Sequence, residues 1–173
     1  MNYFKYYSID VVNGRGTRCT LFVSGCEHGC RGCYNQATWP LDAGLPFTDR
    51  EADQIIADLC DLRVRRRGLT LTGGDPLHPA NVPAVTSLLE RVRRECPPEK
   101  DVWMWTGYRL QDLSAEQSRA VDLVDVLIDG KFVESLRDRK LLWRGSSNQV
   151  IHEFDRSNAW WRKAPEAGED GVS

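Results

Sequence analysis

The chain has 173 residues, of which 41% are hydrophobic and 28% charged, a composition typical of one globular domain. This length is well below the roughly 250 residues of a complete eight-stranded α/β barrel. The net charge of −2 does not favour a basic nucleic-acid-binding surface, and no apolar run approaches a membrane span. The polar start is unlike a secretory signal, so we expect a cytoplasmic protein with one domain over residues 1–163 and a disordered tail over residues 164–173.

The first predicted strand covers residues 17–24, where apolar residues alternate, and it leads directly into a cysteine-rich loop. Thr48 and Glu51 have the spacing of a capping box, so a helix is expected to begin after Thr48. We expect this helix to end in the arginines at residues 65–67, exposed to solvent before a glycine. Binding of RNA or of a protein partner is the alternative for these arginines.

The rest of the chain alternates between predicted strands and helices. Strands are expected at residues 69–72, 101–106 and 124–129, and helices after Val82 and after a second capping box at Ser114 and Gln117. This alternation predicts an α/β fold with parallel βαβ units and helices packed on the sheet. After about Phe132 the pattern becomes less regular.

Four turn segments each follow a predicted strand. They are the cysteine loop at residues 25–33 and the segments 73–75, 106–108 and 129–130. Ligands of parallel α/β sheets bind beyond the carboxyl ends of the strands. We therefore predict that all four segments meet at one edge of the sheet and form a site there.

Cys26, Cys30 and Cys33 supply three thiols from one short loop. A structural tetrahedral metal site needs four protein ligands, whereas three leave one coordination position for another molecule. The spacing therefore favours an iron–sulfur cluster with one open iron. The alternative is structural zinc, with His28 or His78 as the fourth ligand.

The other three cysteines are scattered along the chain. Cys19 falls in a predicted strand, Cys60 in a helix and Cys96 at a helix end. None is spaced as a pair with another cysteine, so we expect none to bind the cluster and no disulfide framework. Cys60 is expected to act as a small apolar side chain in the core.

The cysteine spacing, together with the Gly73-Gly74-Asp75-Pro76 segment after a strand, resembles the radical S-adenosylmethionine enzymes. The resemblance implies a partial, incomplete TIM-like barrel of parallel βα units. It also implies one [4Fe-4S] cluster on the three loop cysteines and S-adenosyl-L-methionine on the open iron. The expected metal ligands are Cys26, Cys30 and Cys33, and the expected cofactor contacts are Gly32, Cys33, Tyr34, Gly73, Gly74 and Asp75.

Two positions depart from the superfamily pattern. Asp75 stands where glutamate is common, and Gly32 stands where an aromatic residue often precedes the third cysteine. Tyr34 follows that cysteine instead. Glycine at positions 73 and 74 is expected to let backbone groups approach the amino group of the cofactor.

Further segments, among them residues 12–14, 105–108, 125–130 and 144–149, are similar to the glycyl-radical-enzyme activases that act on anaerobic ribonucleoside-triphosphate reductase. The similarity covers about residues 3–152. It implies that a flavodoxin-type reductant reduces the cluster and that S-adenosylmethionine is cleaved to a 5′-deoxyadenosyl radical. This radical would take hydrogen from a glycine of the reductase.

Three alternatives stay open at this point. The substrate is another glycyl-radical enzyme, such as a formate-lyase, or a small molecule, as in deazapurine ring formation. From a different class, the chain is a zinc-stabilised binding module without enzymatic activity. Radical generation needs no general base, so no catalytic residue is predicted beyond the cluster and the cofactor.

Several other side chains have two interpretations. Asp129 and Lys131 contact a cofactor or cation, or they form a turn and its exposed neighbour. Trp103 and Trp105 share one face of a strand and are expected in the core. The pair at residues 160–161 anchors the tail or touches a partner. His152 is expected to be structural.

Overall fold

The computed structural model describes residues 1–162. Seven strands form one sheet in the order β3-β1-β2-β4-β5-β6-β7. The main elements along the chain are β1 (Asn2–Asp10), β2 (Arg18–Val23), β3 (Leu45–Pro46), α1 (Asp49–Cys60), β4 (Gly68–Gly73), α2 (Val82–Glu95), β5 (Asp101–Trp105), α3 (Ala115–Val121), β6 (Val126–Asp129) and β7 (Val150–Glu153).

The centre of the sheet is parallel. β2, β4, β5 and β6 pair side by side in the same direction, whereas β1, β3 and β7 pair antiparallel at the two sides. The helices fall between consecutive parallel strands, as the alternating pattern predicted. The α/β class is therefore confirmed.

The three helices pack on the same face of this sheet. Ile55 of α1, Leu89 of α2 and Ala120 of α3 belong to one buried cluster, together with alternate residues of the parallel strands such as Leu71 and Met104. Alternate strand residues point to opposite faces, so a second set of side chains lies on the other face. There Trp103 is buried with Val126 and Ile128, against Trp105 and Trp143. The expectation that Trp103 belongs to the core is confirmed.

Both predicted capping boxes are present, at Thr48 and Ser114. The predicted end of the first helix was wrong, because α1 ends at Cys60 and Asp61 has extended backbone. Arg66 is buried, and its guanidinium donates hydrogen bonds to the carbonyls of Ser8 and Asp58. These arginines therefore lie beyond the helix, and one of them ties β1 to α1.

Three strands were not predicted. β1 and β7 lie at the sides of the sheet, where residues are half-exposed and the apolar pattern is weak. β3 has only two residues. No helix within residues 1–162 is long and apolar enough to cross a membrane. The proposed tail at residues 164–173 lies outside the described residues.

The described chain ends against the helical layer. Trp161 is buried, with the Arg93 guanidinium 4.6 Å from the centre of its ring. Arg162 donates a hydrogen bond to Asp125 Oδ1 at 2.7 Å. Of the two interpretations of this tryptophan pair, these contacts favour anchoring for Trp161, while Trp160 remains exposed.

Candidate iron–sulfur and cofactor site

The four predicted turn segments meet at the carboxyl ends of the parallel strands, an edge that we call the carboxyl rim. His28 of the cysteine loop contacts Asp75, and Asp75 contacts Thr106. The Gly130 N–H donates to the Tyr108 carbonyl at 2.9 Å, which joins the last two segments. The prediction that the four segments meet at one edge of the sheet is confirmed.

Asp75 is at the centre of this rim. Its side chain is only 1% exposed. Oδ1 accepts hydrogen bonds from the Leu77 N–H at 2.8 Å and from Thr106 Oγ1 at 2.8 Å. Oδ2 accepts from the Gly107 N–H at 2.9 Å and lies 2.6 Å from His28 Nε2. The carboxylate is thus surrounded by protein donors, and its main role in this geometry is to hold strand ends together.

Backbone hydrogen bonds fix the start of the cysteine loop. The Gly25 N–H donates to the Thr38 carbonyl at 2.7 Å, and the Asp75 N–H donates to the Gly25 carbonyl at 2.7 Å. Asn81 adds a buried amide that donates to the carbonyls of Ser24 and Asp75. The loop therefore leaves β2 along a path defined by β4 and the start of α2.

The paired glycines after β4 are required by packing between strand ends. Gly73 has φ of +102°, and a Cβ on it would lie 2.8 Å from Phe22 Cα. A Cβ on Gly74 would lie 2.6 Å from the Gly25 carbonyl oxygen. The steric reason visible here is the approach of β4 to β2 and the cysteine loop, in addition to the approach of a cofactor expected from the sequence.

The three loop thiols lie in a partly buried, polar environment. Burial raises the pKa of Cys26 to about 11, against a backbone hydrogen bond from His28, and neighbouring Asp75 and the other two thiols add to the rise. Burial also raises the pKa of Cys30. Because a cluster binds thiolates, loading it must displace these protons.

Backbone groups contact the loop sulfurs. The Asn35 N–H donates to Cys33 Sγ at 3.3 Å. Hydrogen bonds from the backbones of His28 and Phe132 act on Cys26 and Cys30 and lower the pKa of each thiol, against the larger effect of burial. These two hydrogen bonds favour the thiolate, the form that binds iron.

The geometry gives no support to a zinc site. Among residues 1–162 no three histidine, cysteine, aspartate or glutamate side chains, the loop cysteines included, are grouped so as to hold one metal ion. His28 Nε2 is engaged by Asp75, and His78 Nδ1 accepts a hydrogen bond from the Ala80 N–H. One ring nitrogen of each candidate for a fourth zinc ligand is therefore already engaged by the protein.

A cleft of about 1200 Å³ opens next to the cysteine loop. It lies over the carboxyl ends of β5 and β6. Its walls include Glu27 and His28 from the loop, Tyr108 after β5, Asp129 at the end of β6 and Lys131 after it. A cleft of this size is large enough for a small-molecule ligand.

The predicted cofactor contacts lie beside this cleft rather than on its lining. Gly73, Gly74 and Asp75 lie between the loop and β5, where Asp75 contacts His28 and Gly107. Tyr34 is 79% exposed, its ring lies 5.0 Å from the Arg137 guanidinium, and its hydroxyl is hydrogen-bonded to the same group. Tyr34 thus faces the outside of the loop, and its contact with a cofactor stays a prediction.

Asp129, the last residue of β6, and Lys131, which follows it, are placed differently. The Asp129 side chain is buried, accepts a hydrogen bond from the Leu110 N–H at 2.7 Å and has His152 Nε2 at 3.1 Å. Lys131 is exposed at the cleft. Asp129 therefore supports the turn, which agrees with a structural His152, and Lys131 remains available to a ligand.

The connection between β6 and β7 packs on the outside of the cysteine loop. Arg31 forms an ion pair with Glu134 at 3.0 Å, and Gly32 lies against the same carboxylate. The Gln149 side chain holds this connection together by accepting from the Gly145 N–H and donating to the Gly130 carbonyl. No local sequence pattern predicts these contacts, since Arg31 and Glu134 lie more than a hundred positions apart in the chain.

The remaining cysteines lie away from the loop, as predicted. Cys19 is buried in the main core. Cys60 Sγ and Cys96 Sγ are 3.6 Å apart, at the ends of α1 and α2, and both are free thiols. The sequence missed this proximity, because neither spacing nor periodicity relates the two helix ends.

Comparison with known proteins shows which class of protein has this site. The model of the family described as "4Fe-4S single cluster domain" matches residues 12–152, which include the whole carboxyl rim. The chain is thus an iron–sulfur protein of the single-cluster type.

Curated relatives define the family more closely. An anaerobic ribonucleoside-triphosphate reductase-activating protein of Escherichia coli K12 is 60% identical over 154 residues, covering 89% of this chain and 99% of the relative. The Haemophilus influenzae protein of the same name is 57% identical over 154 residues, with the same coverage. The phage T4 protein is 46% identical over 162 residues, covering 94% of this chain and 99% of the relative. The chain belongs to the family of anaerobic ribonucleoside-triphosphate reductase-activating proteins.

Proposed function

We propose that this protein is a radical S-adenosylmethionine enzyme that generates the glycyl radical of an anaerobic ribonucleoside-triphosphate reductase. Membership of the activating-protein family supports the reaction and its target. The observation that carries the proposal is the carboxyl rim. There a loop with three partly buried thiols is joined through His28 and Asp75 to the paired glycines, beside an open cleft.

Cys26, Cys30 and Cys33 are the proposed cluster ligands. Three facts support their fit to a cluster: one loop carries all three thiols, the Asn35 N–H donates to Cys33 Sγ, and one nitrogen of each nearby imidazole is engaged by other groups. When bound, the cluster and S-adenosylmethionine supply the one-electron cleavage that yields a 5′-deoxyadenosyl radical.

The chain's own residues orient and enclose the reacting groups. Gly73 and Gly74 are proposed to present backbone groups to the cofactor, and Asp75 keeps their strand in register with the loop and with Thr106. Backbone groups of Gly32, Cys33 and Tyr34 are the further proposed contacts. The cleft wall from Tyr108 to Lys131 is proposed to exclude water and alternative hydrogen donors.

The shape of the sheet supports a macromolecular substrate. Helices cover one face, and the short β6 is followed by an antiparallel strand rather than by another βα unit. We propose that the sheet is part of a barrel whose missing units leave a lateral opening. A glycine-bearing loop of the reductase would enter there, and a flavodoxin-type protein would supply the electron, in the cytoplasm.

The test is electron paramagnetic resonance on anaerobically reconstituted and reduced protein, with and without S-adenosylmethionine. We expect a reduced [4Fe-4S] signal that changes when S-adenosylmethionine is added. We then expect a glycyl radical on purified anaerobic ribonucleotide reductase, but not on a formate-lyase offered in parallel.

Three results would contradict the proposal in different ways. A colourless protein with bound zinc would replace it with a binding module. A cluster whose signal ignores S-adenosylmethionine would remove the radical mechanism. Cofactor cleavage without any radical on the reductase would leave the chemistry and refute the partner.

A further inference from the structure

His28 is the side chain that joins the cysteine loop to the ends of β4 and β5. Its side chain is 5% exposed, although its neighbours Glu27 and Gly29 are exposed. Nε2 lies 2.6 Å from Asp75 Oδ2, an oxygen that also accepts the Gly107 N–H. Because a carboxylate only accepts hydrogen bonds, Nε2 is the donor. This hydrogen bond holds the loop segment between Cys26 and Cys30 onto the rim, together with the one that the Tyr108 hydroxyl donates to Glu27 Oε1 at 2.7 Å.

The shape of the rim also fixes the imidazole ring. Tyr108 packs edge-to-face on it, with ring centres 4.6 Å apart. A Cβ on Gly107 would lie 2.3 Å from His28 Cδ2, and the three nearest atoms to that Cβ all belong to His28. Gly107 does not have a positive φ, so the space taken by His28 explains why this position is glycine.

We propose that His28 is a positioning residue, which through Asp75 holds the cysteine loop in its cluster-binding arrangement and sets the surroundings of the cluster. The inference rests on the proposed assignment of Cys26, Cys30 and Cys33 as ligands. Mutation of residues that hydrogen-bond to metal ligands typically lowers metal affinity or activity by about 10–100-fold. The reduction potential of a cluster depends on its hydrogen bonds and exposure, so the potential reports the position of the loop.

The contact between Gly107 and His28 allows a double-mutant cycle. Gly107→Ala places a methyl group where the imidazole lies, so it should displace His28 from Asp75. His28→Ala removes the ring and leaves room for that methyl group. We expect each single variant to lose iron to a chelator about tenfold faster than wild type, on the scale of other such residues. The double variant should lose it no faster than His28→Ala alone.

Two substitutions separate the hydrogen bond from the packing. His28→Gln keeps an N–H donor, and His28→Phe keeps a ring against Tyr108 without the donor. We expect His28→Gln to retain the wild-type midpoint potential and reduced-cluster spectrum, and His28→Phe to shift both. His78→Asn is the control, since it changes the other imidazole near this motif and keeps an acceptor for the Ala80 N–H.

The outcomes decide between the inference and the proposed function. If the effects of Gly107→Ala and His28→Ala multiply, or if His28→Phe lowers only the melting temperature and leaves the cluster's potential and spectrum unchanged, His28 is merely structural and the inference is overturned. After either of these results, the proposed function still holds if the electron paramagnetic resonance signal of the wild-type cluster responds to S-adenosylmethionine. A wild-type chain that binds no cluster overturns both.

Discussion

The two ends of the same parallel strands are built with opposite charges. At the carboxyl rim, the buried acids Asp75 and Asp129 accept hydrogen bonds from loops. At the other end, which we call the amino edge, buried cations do the corresponding work. Arg18 donates to the Leu69 carbonyl and pairs with Asp101 at 2.6 Å, and Arg93 donates to the Leu123 carbonyl and pairs with Asp125 at 2.6 Å.

The difference follows from what each edge must do. Long arginine side chains fill the amino edge and satisfy carbonyl groups there, so that edge is closed. A short carboxylate binds backbone and imidazole donors at the carboxyl rim and leaves the space above it open as the cleft. Buried arginine–aspartate pairs thus lie at the amino edge, and the open cleft lies at the carboxyl rim, the end of the strands at which complete α/β barrels carry their active sites.

The largest expected effect is on the rim. Cys30→Ser should abolish cluster binding and reduce cleavage of S-adenosylmethionine to background, because one thiolate ligand is lost. Iron analysis and the methionine released under reducing conditions measure this. Cys60→Ala is the matched control, since this thiol lies at the end of α1, and it should keep the cluster. Full iron content and cleavage in Cys30→Ser would refute the ligand assignment.

The next effect belongs to the amino edge. Arg93→Ala leaves Asp125 buried without this partner and should lower the free energy of unfolding by about 3–5 kcal/mol. Urea unfolding of the apoprotein measures it. Arg94→Ala, at a side chain that is 62% exposed, should change it by less than about 0.5 kcal/mol. A shifted spectrum of the reduced cluster in folded Arg93→Ala protein would contradict the separation of roles between the amino edge and the carboxyl rim.

A smaller effect on stability is expected where the rim itself is packed. Gly74→Ala would bring a Cβ within 2.6 Å of the Gly25 carbonyl oxygen, and the three atoms nearest to that Cβ all belong to the Gly25 backbone. We expect a loss of about 1–3 kcal/mol in the free energy of unfolding, together with weaker cluster retention. Chemical unfolding and iron retention should change together. Unchanged iron retention with lowered stability would show that the loop tolerates movement of β4.

The smallest effect should leave both edges unchanged. Ser114 Oγ accepts the Gln117 N–H at the start of α3. Ser114→Ala should cost about 1 kcal/mol of unfolding free energy, and Ser114→Gly only a few tenths, because glycine is a tolerated N-cap. Equal losses for alanine and glycine in urea unfolding would contradict a capping role. Cofactor cleavage at saturating S-adenosylmethionine should stay at the wild-type level.

Local patterns in the sequence identified much of this architecture. The capping boxes at Thr48 and Ser114, and the four parallel strands, involve residues close together in the chain or regular apolar alternation. The end of α1 was mistaken because a run of arginines resembles a solvated helix end, whereas Arg66 finds carbonyl partners in β1 and α1. The strands β1 and β7 were missed because their half-exposed residues show no strong apolar periodicity.

The sequence alone determined the set of three thiols, their origin in one loop, and the order of strands and turns that brings that loop to the carboxyl rim. These features depend on spacings of a few residues. Only the tertiary structure decided that the Asp75 side chain binds His28 and Thr106, which are 47 and 31 positions away, and that His28 requires glycine at position 107. Hydrogen-bond partners and steric limits of this kind arise between distant segments, so no local pattern encodes them.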